Sequence, residues 1–240
     1  MKRPLVGLHG WGMRGAVFNQ VGADYGMFPD LPGYGATALP NDYTAARLAD
    51  ALAQNAPKKI TLLGWSMGSL IAQVWAARHP QQVEALVLVA ATPCFQQRAD
   101  WSHGLSANEV TAFATGVATD WRATLQRFLA LQARGSEDAR HLIAHLRAEL
   151  AAGGDPHPET LLAGMRLLAE TDLRDQATAI VQPTLLIHGA RDGLCPLSAA
   201  QWLAAQLPNA RLAVIERAGH APFLSHPEAF NALLLEFLDG

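Results

Sequence analysis

The sequence predicts an α/β protein: a mostly parallel sheet flanked by helices, with a helical segment inserted late in the sheet. Three observations carry this expectation. Short apolar runs bounded by Gly, Pro or Asn recur along the chain, with helical periodicity between them. Between Pro93 and Gln182 the alternation stops, and about ninety residues show helical periodicity with no convincing strand. The length of 240 residues, half of them hydrophobic and 16% charged, suits one packed domain with a large core and argues against extended disorder.

Taken in chain order, Leu5-Val6-Gly7-Leu8 is the first apolar run and reads as a strand. A weaker strand at 25–28 precedes Asp30-Leu31-Pro32-Gly33-Tyr34-Gly35, whose Pro and Gly mark a turn. A helix fits 44–56, a strand 60–63, a helix 69–78 and a strand 85–89. Within the insertion, helices are expected at 107–115, 121–133, 136–151 and 158–170, broken by Gly135 and by Gly153-Gly154-Asp155-Pro156. Strands at 184–188 and 211–215 then alternate with helices at 198–207 and 227–238. The expected division is therefore a core of residues 1–93 and 183–240, with 94–182 as an inserted helical cap.

Composition narrows the function classes. A formal net charge of −3 gives no global reason to expect a nucleic-acid partner. Two cysteines, Cys94 and Cys195, are too few and too far apart for a disulfide framework or a zinc site, so no metal is expected. The basic, then apolar start is shorter than a signal peptide, and no stretch approaches the length of a membrane span. A cytoplasmic monomer without membrane contact is the default expectation.

The sharpest local signal is Gly64-Trp65-Ser66-Met67-Gly68, a G-x-S-x-G that follows the apolar run Ile60-Thr61-Leu62-Leu63 and precedes a helical pattern. Strand, sharp turn, helix is the context this nucleophile elbow requires. Composition alone gives roughly 0.05 chance matches before the context is demanded. A serine hydroxyl is a poor nucleophile at neutral pH, so it needs a base within reach and a carboxylate to fix the base's tautomer. In the chain order Ser, acid, His, the base is His220 in Ala218-Gly219-His220-Ala221-Pro222, and the acid is Asp192 in Gly189-Ala190-Arg191-Asp192-Gly193. Both follow predicted strands and emerge at the same carboxyl edge as Ser66, whereas Asp172 and Asp175 belong to the exit from the insertion. The two oxyanion donors are expected to be the N–H groups of Met67 and of Trp11, the latter in the loop His9-Gly10-Trp11-Gly12 after the first strand. No cofactor is needed for such chemistry.

These residues resemble the α/β-hydrolase superfamily along nearly the whole chain. Four segments are similar to one family within it, the carboxylesterases of biotin synthesis that demethylate pimeloyl-acyl carrier protein methyl ester: Gly64-Trp65-Ser66-Met67-Gly68, Thr92-Pro93-Cys94-Phe95, Arg127-Phe128-Leu129-Ala130-Leu131-Gln132, and His220-Ala221-Pro222-Phe223-Leu224-Ser225-His226-Pro227. The resemblance implies a cofactor-free serine esterase whose partner is an acyl carrier protein bearing a pimeloyl methyl ester. It implies substrate contacts at Trp11, Ser66, Met67, Phe128, Leu129, Ala130, Leu131, Gln132 and His220. It also implies cap arginines that meet the acidic carrier: Arg127 and Arg140 match the family pattern, while two further positions hold Ala123 and Ala144, leaving Arg122 and Arg147 as their replacements. Arginine's planar fork suits phosphate and carboxylate, although Glu137 and Asp138 among these arginines would also fit a plain solvated helix face. The resemblance leads one to expect a β-hairpin ahead of the oxyanion strand, and the sequence begins almost at that strand. The alternative is a broad-specificity carboxylesterase or lactonase that uses the same three residues on short-chain acyl esters.

Overall fold

The computed structural model describes residues 3–21 and 26–240. Its elements in chain order are β1 (Leu5–Leu8), β2 (Gly26–Met27), α1 (Ala45–Asn55), β3 (Ile60–Trp65), α2 (Met67–Arg78), β4 (Val83–Val89), α3 (Ala107–Ala133), α4 (Ala139–Gly153), α5 (Pro158–Glu170), β5 (Thr184–Gly189), α6 (Leu197–Gln206), β6 (Ala210–Ile215), α7 (Pro222–Ser225) and α8 (Pro227–Asp239). The strands form one parallel sheet in the order β2-β1-β3-β4-β5-β6. The expected weak strand survives as Gly26–Met27, and its Tyr25 lies outside the described residues.

The strand sequences are apolar at nearly every position because helices cover both faces of the sheet. Successive side chains alternate between two cores. Val6, Leu62, Leu86, Leu88 and Leu186 pack with Leu48, Leu70, Trp75 and Leu203 from α1, α2 and α6. Leu5, Leu63, Val87, Leu185 and Ile187 pack with Phe18, Phe223, Phe230 and Leu234 on the other side. Helix α2 is buried from Met67 to Ala76, which explains its lack of a polar face.

The chain leaves the sheet after β4 and returns at β5, and α3, α4 and α5 lie between. The neck of this insertion is closed by a bridge between Cys94 and Asp172 and by Leu173 N–H donating to Pro93 O at 2.8 Å. The inserted helices are not a separate globule. Leu125, Phe128, Leu161 and Leu168 join the first core, and Leu129, Ala133, Leu142 and Leu146 join the second.

Helix α2 starts at Met67, two residues before the expected 69, the short helix α7 is not among those expected, and two further differences lie in the insertion. The helices expected at 107–115 and 121–133 are one element with a kink at Asp120 (φ −150°, ψ 83°), where the Asp120 carboxylate accepts Ala123 N–H at 3.0 Å and recaps the second half. The next helix begins at Ala139 rather than Ser136. Asp138 is its N-cap, and the Ser136 hydroxyl is engaged elsewhere.

Candidate active site

Strand β3 ends at Trp65 and α2 begins at Met67, so Ser66 alone makes the turn. It does so at φ 56°, ψ −119°, a backbone state that costs a residue with a Cβ on the order of 1–3 kcal/mol. Its neighbours hold it there: Ser66 N–H donates to Val89 O at 3.1 Å, and Ser66 O accepts the Ser69 hydroxyl at 2.6 Å. The flanking glycines are needed for space. A Cβ on Gly64 would lie 2.5 Å from Gly68 O, and one on Gly68 would lie 2.1 Å from Leu8 O.

Loops after β5 and β6 bring two partners to the same sheet edge. His220 Nε2 lies 2.8 Å from Ser66 Oγ, and His220 Nδ1 lies 2.8 Å from Asp192 Oδ2. An ionised carboxylate only accepts, so Nδ1 carries the imidazole proton and Nε2 is left to accept from the serine. Asp192 is itself fixed, its Oδ1 accepting Leu194 N–H at 2.8 Å and Cys195 N–H at 3.0 Å. Burial alone would push the Asp192 carboxyl up, yet the charge and hydrogen bond of His220, with His188 and the Cys195 N–H, hold it below the usual carboxylate range. Ser66 has a base in contact with it, and that base has its own anion.

His188, which sequence reasoning placed only at a strand end, lies beside this group. Its Nε2 donates to Cys195 O at 2.8 Å and sits 3.6 Å from Asp192 Oδ2, and burial pushes its pKa down. Asp192, Cys195 and His220 present ligand-type atoms within 4.8 Å of one another. Burial holds the Cys195 thiol protonated, which makes it a poor metal ligand.

At the first strand's end, His9 organises the loop. Its Nε2 accepts Leu31 N–H at 2.9 Å and its Nδ1 donates to Gly10 O at 2.9 Å, and burial pushes its pKa down to about 4. It is therefore a neutral strut. Gly12, at φ 75°, donates its N–H to the Tyr34 hydroxyl at 3.1 Å. Among the described residues neither the backbone N–H of Trp11 nor that of Met67 donates to a protein acceptor, and the Met67 amide opens helix α2, where negative charge is favoured. The Trp11 ring is buried, its indole N–H donates to Leu161 O at 2.8 Å, and Phe128 packs edge-on at 4.7 Å.

The five residues of the α3 segment occupy different environments. Phe128 reaches Trp11, and Gln132 O accepts His220 N–H at 3.2 Å, so both adjoin the Ser66 group. Leu129 is buried in the second core. Ala130 and Leu131 instead line an outer groove with Phe113, Arg127 and Arg134. Helical geometry accounts for the split, since 128 and 132 share a face that 130 does not.

The arginines are all exposed but not equally free. Arg122 pairs with Asp155 and lies over the Trp121 ring, and Arg147 donates to Gln126 at 2.6 Å. Arg127 donates only to Thr124, and Arg140 makes no ion pair among the described residues.

The arrangement can add a serine alkoxide to a carbonyl, hold the resulting oxyanion and return a proton to the leaving group. The alpha/beta hydrolase fold family model matches residues 4–227. The chain is 44% identical to the pimeloyl-[acyl-carrier protein] methyl ester esterase of Aromatoleum aromaticum, covering 100% of both chains. It is 43% identical to the protein of the same name from Chromobacterium violaceum, over 98% of this chain and 94% of that one. Among solved structures, an esterase from Exiguobacterium antarcticum superimposes with a TM-score of 0.90 at 27% identity, over 99% of this chain and 92% of that one. The chain belongs to the α/β-hydrolase fold family and, within it, to the family of the pimeloyl-[acyl-carrier protein] methyl ester esterases.

Proposed function

We propose that this protein is a serine carboxylesterase that hydrolyses the methyl ester of pimeloyl-acyl carrier protein, using Ser66 as nucleophile, His220 as base and Asp192 as the acid that orients it. The observation that carries the reading is the continuous hydrogen-bonded chain Ser66–His220–Asp192 in a protein more than 40% identical to esterases of that name. Ser66 Oγ adds to the ester carbonyl while His220 Nε2 takes its proton. The backbone N–H groups of Met67 and Trp11 receive the oxyanion, a task suited by their having no protein acceptor among the described residues. His220 then protonates the departing methoxide, and methanol leaves an acyl-Ser66 ester. A water deprotonated by His220 repeats the addition, frees the pimeloyl carboxylate and returns the proton to Ser66. Every step is an addition, an elimination or a proton transfer, so these side chains suffice without a cofactor.

In this reading residues 94–182 act as the cap that receives the carrier-borne chain. Phe128 and Gln132 adjoin the reacting end, and Ala130 and Leu131 lie outward along the path. Arg127 and Arg140 are the principal carrier contacts, because both match the family pattern and neither is in an ion pair among the described residues, whereas Arg122 must first release Asp155; Arg147, like Arg127, gives up one hydrogen bond to a neutral side chain. The enzyme acts as a cytoplasmic monomer. In support, both cysteines are free and buried, and among the described residues no helix is long and apolar enough to cross a membrane.

The test is the ratio of kcat/KM for the carrier-bound methyl ester to that for a short free methyl ester. Recognition of the carrier is expected to favour the former by about a hundredfold or more, equivalent to roughly 2.7 kcal/mol. Equal values would replace this reading with a broad-specificity carboxylesterase or lactonase.

A further inference from the structure

We propose that the turn Arg134-Gly135-Ser136, which closes α3, is part of the mount of His220 and Asp192, with Ser136 and Gly135 as positioning residues, so that the insertion is a fixed part of the catalytic apparatus rather than a lid that lifts away. The inference rests on the triad reading above and adds residues to it that lie outside the core.

The histidine loop is gripped from the cap side at two successive amides. His220 N–H donates to Gln132 O at 3.2 Å, and Gly219 N–H donates to Ser136 Oγ at 3.1 Å, both buried. Contact is so close that position 219 has no room for a side chain, since a Cβ there would lie 2.7 Å from Arg134 O and 2.8 Å from Ser136 Oγ. The same turn touches the acid's loop. Gly135 sits at φ 85°, and a Cβ on it would lie 2.5 Å from Arg191 O, one residue before Asp192. The two loops also hold each other, through Arg191 N–H donating to Ala218 O at 3.0 Å. From the opposite side, the Trp65 indole N–H donates to His220 O at 2.8 Å. His220 is thus held between the nucleophile's strand and the end of a cap helix.

This arrangement has a mechanical consequence. The imidazole must meet Ser66 and Asp192 at 2.8 Å on both sides, and a misplacement of about 1 Å at such a site lowers turnover by about a hundredfold. Lifting α3 off the core would break both amide contacts and leave the His220 loop without its support on the cap side. Substrate therefore has to reach Ser66 with this end of the cap in place.

The experiment uses the whole protein and a short free ester, which has no carrier to bind. Ser136→Ala leaves the buried Gly219 N–H without its acceptor, and kcat is expected to fall about tenfold with KM within about twofold. The low-field proton resonance of the His220–Asp192 hydrogen bond should weaken in the same variant. Ser106→Ala is the control, because it removes the capping box at the far end of α3 and is expected to leave both readouts unchanged. Wild-type kcat and resonance in Ser136→Ala would overturn the proposal. So would equal losses in Ser106→Ala, which would assign the effect to the stability of the insertion as a whole. Failure of the triad reading would be seen separately, as short-ester turnover that survives Ser66→Ala.

Discussion

Asp192→Asn is the substitution whose outcome the geometry determines most fully. It changes one atom and no volume, and the side chain is fully enclosed. In the native protein Oδ1 accepts two backbone N–H groups, from Leu194 and Cys195, while Oδ2 faces His220 Nδ1. An asparagine must keep its oxygen toward the two backbone donors, since turning the amide around would set an NH2 against two N–H groups. Its NH2 therefore occupies the Oδ2 position and donates to His220 Nδ1. That fixes the other tautomer, with the proton on Nε2, where it faces Ser66 Oγ and cannot receive the serine's proton. The variant also loses the anion that stabilises the imidazolium. Together these effects are expected to lower kcat on the order of 10⁴-fold, about 5.5 kcal/mol of barrier. Steady-state hydrolysis of a short chromogenic ester measures it, with circular dichroism confirming the fold. A folded variant that keeps more than about a tenth of wild-type kcat would refute the tautomer argument, because no loss of that small size is compatible with it. Asp172 could not stand in for the acid, because it is engaged by Arg174 at the neck of the insertion.

Three further outcomes follow from other parts of the structure. Combining Arg127→Glu with Arg140→Glu should raise KM for the carrier-bound ester, more at low salt than at high, and leave short-ester kinetics nearly unchanged; equal losses on both substrates would point to a damaged cap. Burial lowers the His9 pKa to about 4 from 6.5, so between these values the unfolded chain takes up a proton that the folded chain refuses. Stability should then be fully present above about pH 6.5 and fall by about 3 kcal/mol as pH drops to 4. Buried His188 acts in the same sense, and urea melts at stepped pH should show a shallower decline in His9→Asn. Gly68→Ala should destabilise the fold by roughly 3 kcal/mol or more, because its Cβ would collide with Leu8 O at 2.1 Å; an unchanged melting temperature would contradict the close approach of β1 and α2.

The parts of the site that the sequence made legible are those in which local pattern and chemistry coincide. The Gly64 to Gly68 motif states its own geometry, since the strained Ser66 and the side-chain-free flanks are consequences of one turn. His220 and Asp192 could be found because each follows an apolar run that ends at the same sheet edge. Contacts between distant segments left no such trace. Nothing local distinguishes His9 as a neutral strut across 22 residues to Leu31, or His188 as the donor that pins Cys195. The helix expected from Ser136 begins at Ala139 for the same reason: the Ser136 hydroxyl accepts a buried amide 83 residues away, and Asp138 caps the helix instead. The resemblance implies substrate contact along all of 128–132 and says nothing of their surroundings, which helical pitch divides between the site, the second core and an outer groove.

Hydrolysis of pimeloyl-carrier methyl ester in heavy-oxygen water, followed by mass spectrometry of the carrier and of the released methanol, tests the central claim most directly. Attack by Ser66 on the acyl carbon and release of the acyl group by water place the heavy oxygen in the new pimeloyl carboxylate and leave methanol unlabelled. The wild-type protein is expected to give that pattern, and Ser66→Ala to lose on the order of 10⁴-fold or more of the rate while remaining folded. Labelled methanol, or demethylation by folded Ser66→Ala at the wild-type rate, would contradict the account.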